Sequence, residues 1–154
     1  MATITATQRN DKNYPHSQMV LDAPTKQLSA TFSAADAAKL KGSALAANDV
    51  VELLSIPAGA FVLTVTHKVV TVEGGTFTYS IGDGVTAAGY VSAANGNTAA
   101  NGTSFNGSTT APVFGVGKFY ATADTIDMTI ASGTPATAVV TISATYILTT
   151  PTLT

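Results

Sequence analysis

Residues 136–148 read Ala-Thr-Ala-Val-Val-Thr-Ile-Ser-Ala-Thr-Tyr-Ile-Leu, and their pattern repeats every two residues. Ala138, Val140, Ile142, Ala144, Tyr146 and Leu148 fall on one side of an extended chain; Thr137, Thr141, Ser143 and Thr145 fall on the other. Successive side chains of a strand point to opposite faces, so this is a long strand with one face in a core. A slip of one residue would expose its whole apolar row, and the register is therefore well specified.

The same rhythm recurs upstream. Ile126, Met128 and Ile130 alternate with Thr125, Asp127 and Thr129, and Phe77, Tyr79 and Ile81 with Thr76, Thr78 and Ser80. Phe61, Leu63 and Val65 alternate with Val62, Thr64 and Thr66 in a strand that could run to Val72, and Leu28, Ala30 and Phe32 with Ser29, Thr31 and Ser33. Val50–Ile56 is apolar on both faces apart from Glu52, as expected of a strand covered on both sides. Further strands are expected at 114–121 and, within the long Asn-Gly-rich segment 84–113, at 90–92, because a structureless loop of that length is uncommon in a compact domain. Turns are expected at Ile56-Pro57-Ala58-Gly59, Gly82-Asp83-Gly84 and Gly133-Thr134-Pro135, with Gly74-Gly75 marking a hairpin. A helix is signalled once, by Ser33 as N-cap, Asp36 three residues on, and Gly42 as the stop after Lys41.

About eight strands with short antiparallel connections favour an all-β fold, an antiparallel β-sandwich of jelly-roll type with one short helix. Residues 1–27 lack hydrophobic periodicity, carry Pro15 and Pro24, and read as an extended N-terminal arm; 28–154 form the β-sandwich domain. At 154 residues one domain can bury about 70% of the surface its unfolded chain exposes.

Composition agrees. Charged residues make up 10% of the chain, against about 25% in ordinary domains. Thr, Ala, Gly, Ser and Asn take their place, which suits strands and turns rather than exposed helix faces. So little charge also suits a surface packed against partners. Five of the seven basic residues, Arg9, Lys12, Lys26, Lys39 and Lys41, lie in the first 41 positions, whereas Asp49, Glu52, Glu73, Asp83, Asp124 and Asp127 lie beyond them. No dense basic stripe with interleaved aromatics exists, so nucleic-acid binding is not expected. Residues 1–10 are polar and do not read as a signal peptide. The uncharged run from Met128 onward is interrupted by Gly133 and Pro135 and alternates with Thr and Ser, so it reads as a hairpin and not as a membrane span.

The chain offers little for chemistry. Cysteine is absent, which removes thiolate nucleophiles and thiolate metal ligands. His16 lies beside Pro15 in the arm. His67 is expected at a strand end, facing solvent or an interface. Neither accompanies a Gly-x-Ser-x-Gly elbow, and a serine hydrolase needs a histidine to take the nucleophile's proton. Asp124 and Asp127 fall on opposite strand faces, and Glu52 and Glu73 could meet only through folding. Asp83 between two glycines could join a Ca²⁺ site, but Asp and Gly at a turn are explained by conformation alone. Gly82-Asp83-Gly84 is followed by no helix that could bind phosphate, and the Asn101 and Asn106 sequons mean little without a secretory signal. No catalytic, cofactor-binding or metal-ligating residue is expected, and the chain is not expected to be an enzyme.

The stretch Asp49-Val50-Val51-Glu52-Leu53-Leu54-Ser55-Ile56-Pro57-Ala58-Gly59 resembles small structural proteins of tailed phages: an acidic residue near an apolar strand, an Ile-Pro-Ala-Gly turn, then a Val/Thr-rich strand. Residues 76–84, ending Ile81-Gly82-Asp83-Gly84, follow in the expected order. The segments 124–130 and 139–148 also resemble the close of such proteins, so the likeness spans about 49–148 and leaves out the arm. It implies a capsid decoration, or cement, protein. Such a protein is an all-β module on the outer surface of the virion, often a homotrimer, with the major capsid protein as partner and an arm bracing neighbouring subunits. It would be made in the cytoplasm of a host bacterium and bind neither membrane nor nucleic acid. A second reading is a head-fibre or carbohydrate/receptor-binding module whose 84–113 loop reaches outward; Tyr90 and Phe105 are the aromatics that loop offers a sugar.

Overall fold

The computed structural model describes residues 25–98, 103–105, 114 and 117–149; most of the expected arm lies outside them. Among the described residues nine strands and one helix follow in the order β1 (Lys26–Ser33), α1 (Ala34–Lys41), β2 (Val50–Ile56), β3 (Ala60–Thr71), β4 (Phe77–Gly82), β5 (Val91–Asn95), β6 (Thr103–Phe105), β7 (Lys118–Tyr120), β8 (Asp124–Gly133) and β9 (Val139–Leu148). Helix α1 has the expected ends. Ser33 Oγ accepts from the Asp36 N–H at 3.3 Å, and Gly42 closes the helix at φ 76°, a left-handed conformation that only glycine adopts without strain.

One sheet has the order β1-β9-β3-β6, with β7 also on β3; the other runs β2-β8-β4-β5, and every pairing is antiparallel. Strands β6 and β7 run in one direction along β3, β6 beside residues 65–67 and β7 beside 60–62. They act as a single interrupted edge strand, so the fold is four strands on four. The chain passes repeatedly from one sheet to the other, and its first and last strands lie side by side. This is the jelly roll that the strand pattern predicts.

The inner faces fill one core. Sheet one contributes Phe32, Val62, Val65, Val69, Val140, Ile142 and Ala144; sheet two contributes Leu54, Ile56, Phe77, Tyr79, Ile81, Ile126, Met128 and Ile130, all buried. Phe32 of sheet one stacks on Phe77 of sheet two at 6.3 Å between ring centroids, and Phe77 tilts against Tyr79 at 5.3 Å. Burying such side chains contributes about 1.5–3 kcal/mol each before chain entropy is counted.

Three local expectations need correction. Gly74-Gly75 and Gly133-Thr134-Pro135 are turns but do not make hairpins: β3 and β9 belong to one sheet, β4 and β8 to the other, so both segments cross between sheets. Turn chemistry reverses a chain without specifying which sheet receives it. The 114–121 strand is confined, among the described residues, to Lys118–Tyr120. The alternation along β3 also breaks at Leu63, where the register with β9 shifts between Val62 and Thr64. A bulge inserts one residue and inverts the phase after it. Val65, His67 and Val69 therefore point inward with Val62, while Phe61, Leu63 and Thr64 stay half-buried.

The two crossovers are fastened together. Glu73, after β3, turns one carboxylate oxygen onto three successive N–H groups before β9, those of Ala136 and Thr137 at 2.9 Å and Ala138 at 3.0 Å. Burial acts to raise the Glu73 pKa, but the three backbone donors outweigh it and hold the carboxyl below its ordinary value. Glu73→Ala is expected to cost about 1 kcal/mol, in the manner of a lost helix cap, and to raise amide exchange at 136–138. Unchanged protection there would show that the carboxylate is dispensable.

Candidate functional site

His67 is not at a solvent-facing strand end. It continues the inward row of Val65 and Val69 and is 6% exposed, with Nδ1 2.6 Å from the Tyr79 hydroxyl and the two rings edge to face at 5.6 Å. Burial lowers its pKa below the usual histidine value and raises that of Tyr79. The pair bridges the two sheets as a satisfied core contact. His16 lies outside the described residues.

Asp83 organises a second polar cluster. Its Oδ1 accepts from the N–H groups of Val85 at 3.0 Å and Thr86 at 2.8 Å, which shapes the turn after β4. Its Oδ2 pairs with Lys118 and accepts from the Tyr120 hydroxyl at 3.1 Å; Tyr120 in turn lies 2.9 Å from the Tyr90 hydroxyl. The Lys118 ammonium sits 4.3 Å above the Phe114 ring and 4.7 Å above that of Tyr120, favourable for a cation over aromatic faces. Burial opposes ionisation of Asp83, but Lys118 and the two backbone donors together hold its pKa below the ordinary value. These bonds match the turn role of Asp83 and tie the 83–90 loop to β7.

The outer face of sheet two carries a different arrangement. Glu52 on β2 stands directly opposite Asp127 on β8, with Gly82 of β4 on the other side of Asp127. Like charges directly across a ladder destabilise it. Asp127 is 4% exposed, and its Oδ1 is buried without a hydrogen-bond partner. The reason for its burial is nearby: the Thr86–Ala87 backbone packs so closely on Gly82 that a Cβ there would collide with it. Burial raises the Asp127 pKa, the Thr125 hydroxyl lowers it, and Glu52, Asp124 and Asp83 raise it further. Sequence reading placed Asp124 and Asp127 on opposite faces but could not foresee that Glu52 faces Asp127, because the register of β2 against β8 is not written in either strand alone. Among the described residues, no group of three acidic or histidine side chains is placed to hold a metal ion.

Beside Glu52 the surface is apolar. A groove of about 500 Å³ lies between α1 and β2, lined by Ala37, Leu40, Leu45, Val50 and Val51. Leu40 is 91% exposed and Val50 57%. Lys41 at the groove is occupied by Asp49 at 2.6 Å. This geometry suits contact with another macromolecule better than enclosure of a small substrate. Among the described residues no helix is long and apolar enough to cross a membrane.

No family model and no curated protein matches the chain. Solved structures do. The chain is similar to one from the capsid asymmetric unit of cyanophage Pam1, with 21% identity and a TM-score of 0.61 over 81% of this chain and 85% of that one. It is similar to a chain from the capsid of Ralstonia phage GP4, with 16% identity and a TM-score of 0.60 over 83% and 86%. It also matches a chain from the acidic stable capsid structure of Helicobacter pylori bacteriophage KHP30, with 14% identity and a TM-score of 0.51 over 80% and 87%. At these identities the likeness is one of fold.

Proposed function

We propose that this chain is a structural protein of a phage particle, a decoration or cement subunit that binds the outer surface of the head shell and bridges neighbouring copies of the major capsid protein. The observation that carries the reading is the likeness to chains from three phage capsids with nearly mutual coverage, 81% against 85% in the first case. Mutual coverage means that the matched chains are about as long as this one, so the similarity is to small whole subunits rather than to a fragment of a large one. The polar groups also support the reading. His67, Asp83 and Glu73 are each engaged in holding the fold, while the apolar surface at Leu40 and Val50 suits a protein partner. A homotrimer on the shell, with the arm up to residue 24 reaching across to a neighbouring subunit, completes the proposal; Lys26 and Gln27 of the expected arm belong to β1.

Deleting residues 1–24, which leaves β1 whole, should remove binding to purified undecorated shells while the circular dichroism and melting of the β domain stay unchanged. Binding by the truncated chain as tight as that of the full chain would refute the bracing role of the arm. Failure of the full chain to bind shells, together with specific hits on a glycan array, would favour the receptor-binding alternative.

A further inference from the structure

The described lysines divide cleanly. Lys39, Lys41 and Lys118 are matched with Asp36, Asp49 and Asp83, whereas Lys26 and Lys68 have no carboxylate partner among the described residues. On the acidic side, Glu52 and Asp127 face each other across the ladder, and neither is in an ion pair among the described residues. The unmatched charges lie on opposite sides of the sandwich. Lys68 stands on the outer face of sheet one, in register with Thr141 of β9, among Thr31, Thr66 and Ser143, and that face carries no carboxylate among the described residues. Glu52 stands on the outer face of sheet two, whose described strands carry no base; the lysine of the adjoining groove, Lys41, is taken by Asp49.

Each lone charge has the same apolar companion. Val70, two residues after Lys68, is 56% exposed, and Val50, two residues before Glu52, is 57% exposed. Val70 occupies a second bulge of β3, where the register shifts between Val69 and Thr71, so its side chain projects from the sheet. Two residues along a strand span about 7 Å. The Lys68/Val70 pair and the Glu52/Val50 pair thus each set a charge beside an exposed valine, with opposite charge.

We infer that copies of this chain associate through unlike faces, the Lys68–Val70 ridge of one seated on the Val50–Glu52 edge of the next. Lys68 meets Glu52, whose neighbour across the ladder is Asp127, and Val70 covers Val50 beside the α1/β2 groove. One contact relieves the like-charge pair and removes both exposed valines from water. An unlike-face contact closes into a ring if the rotation permits and otherwise extends as a chain. The inference rests on reading the chain as a self-associating shell component, and it names the surfaces that would do so.

The test is a charge exchange, read by sedimentation velocity and native mass spectrometry of the full-length chain from micromolar to hundreds of micromolar. Lys68→Glu and Glu52→Lys should each weaken self-association at least about tenfold, because each sets like charges across the contact. The double variant should restore the wild-type constant to within about threefold. Thermal melts confirm that all three are folded, as exposed positions allow. If the wild type assembles and the single variants assemble equally well, the contact lies elsewhere and this inference fails while the shell reading stands. A wild type that stays monomeric throughout also overturns the inference, and the shell-binding assay then judges the decoration reading independently. A double variant as weak as either single variant would likewise refute the pairing of these two residues.

Discussion

Asp83→Ala should lower the unfolding free energy by about 3–5 kcal/mol, the usual cost of breaking a buried ion pair from one side. The side chain of Asp83 is fully buried, and its loss strands more than one group. Lys118 keeps its charge, three-quarters enclosed, with the Phe114 and Tyr120 rings as its remaining neighbours. The N–H groups of Val85 and Thr86 lose their acceptor, and the Tyr120 hydroxyl loses one of its two partners. Urea denaturation measures the change directly. Removing the ammonium as well, in Asp83→Ala/Lys118→Met, should recover part of the loss, since an unpaired buried charge costs more than an apolar replacement of both partners. The pH dependence has a definite sign. The folded-state pKa of Asp83 is depressed, so its contribution is fully present above the ordinary carboxylate pKa and is lost as pH falls through the depressed value. The gap between wild type and Asp83→Ala should narrow in that acidic window, and a gap independent of pH would show that ionisation of Asp83 is irrelevant to the loss.

Asp127→Asn should do the opposite and stabilise the protein by about 1–3 kcal/mol at neutral pH, the range for an unsatisfied buried polar group, with a charge at the upper end. Asp127 is buried opposite Glu52 with one oxygen unpartnered, and its pKa is raised, first by burial. A raised carboxylate pKa means that the folded state holds its proton more tightly than the unfolded state. No penalty exists below the unfolded pKa; it grows as pH rises through the folded value and is constant above it. The advantage of the asparagine variant should therefore be absent in strong acid, develop as pH rises past about 4, and level off once the wild-type carboxyl is ionised. Thermal melts across pH 3–8 would show it, and a variant less stable than wild type at pH 7 would mean that the Thr125 hydroxyl and other contacts favour the carboxylate by more than burial and Glu52 oppose it. The two aspartates thus bend the stability curve in opposite directions.

Alternation of apolar side chains is a local property, and it made β1, β4, β8 and β9 readable because each turns its apolar row toward the core over most of its length, even where, as at Leu28 and Ala30 of β1, that row is only half-buried. Capping chemistry is local too, which is why Ser33, Asp36 and Gly42 marked α1 correctly. Bulges are different. The inserted residue at Leu63 carries no mark in the sequence, yet it decided that Val62, and not Phe61 or Leu63, joins Val65 and His67 on the inner face. Partner choice is equally hidden: Asp83 and Lys118 are 35 positions apart, and Glu73 reaches Ala138 across 65. The turn at Asp83 could be read from its flanking glycines, but the ion pair beneath it could not. The opposed carboxylates Glu52 and Asp127 depended on strand register, which emerges only when β2 meets β8.

The adjacency of β1 and β9 has a consequence for how the molecule forms. Hydrogen bonds between their side chains and backbones join positions 110 to 114 apart in the chain. Closing a loop of that length costs about 4 kcal/mol in chain entropy beyond a constant term. That cost is met before the contacts of β9, which lies between β1 and β3, can repay it. The β1–β9 ladder is therefore expected to close late, while β4 and β5, separated by a short loop, can zip early. A chain caught between these stages would present the unpaired edge of β3 and its inward row of Val62, Val65 and Val69 to the solvent. At high protein concentration, the slow closing of the β1–β9 ladder, rather than the final stability of the sandwich, would set how much of the protein escapes aggregation.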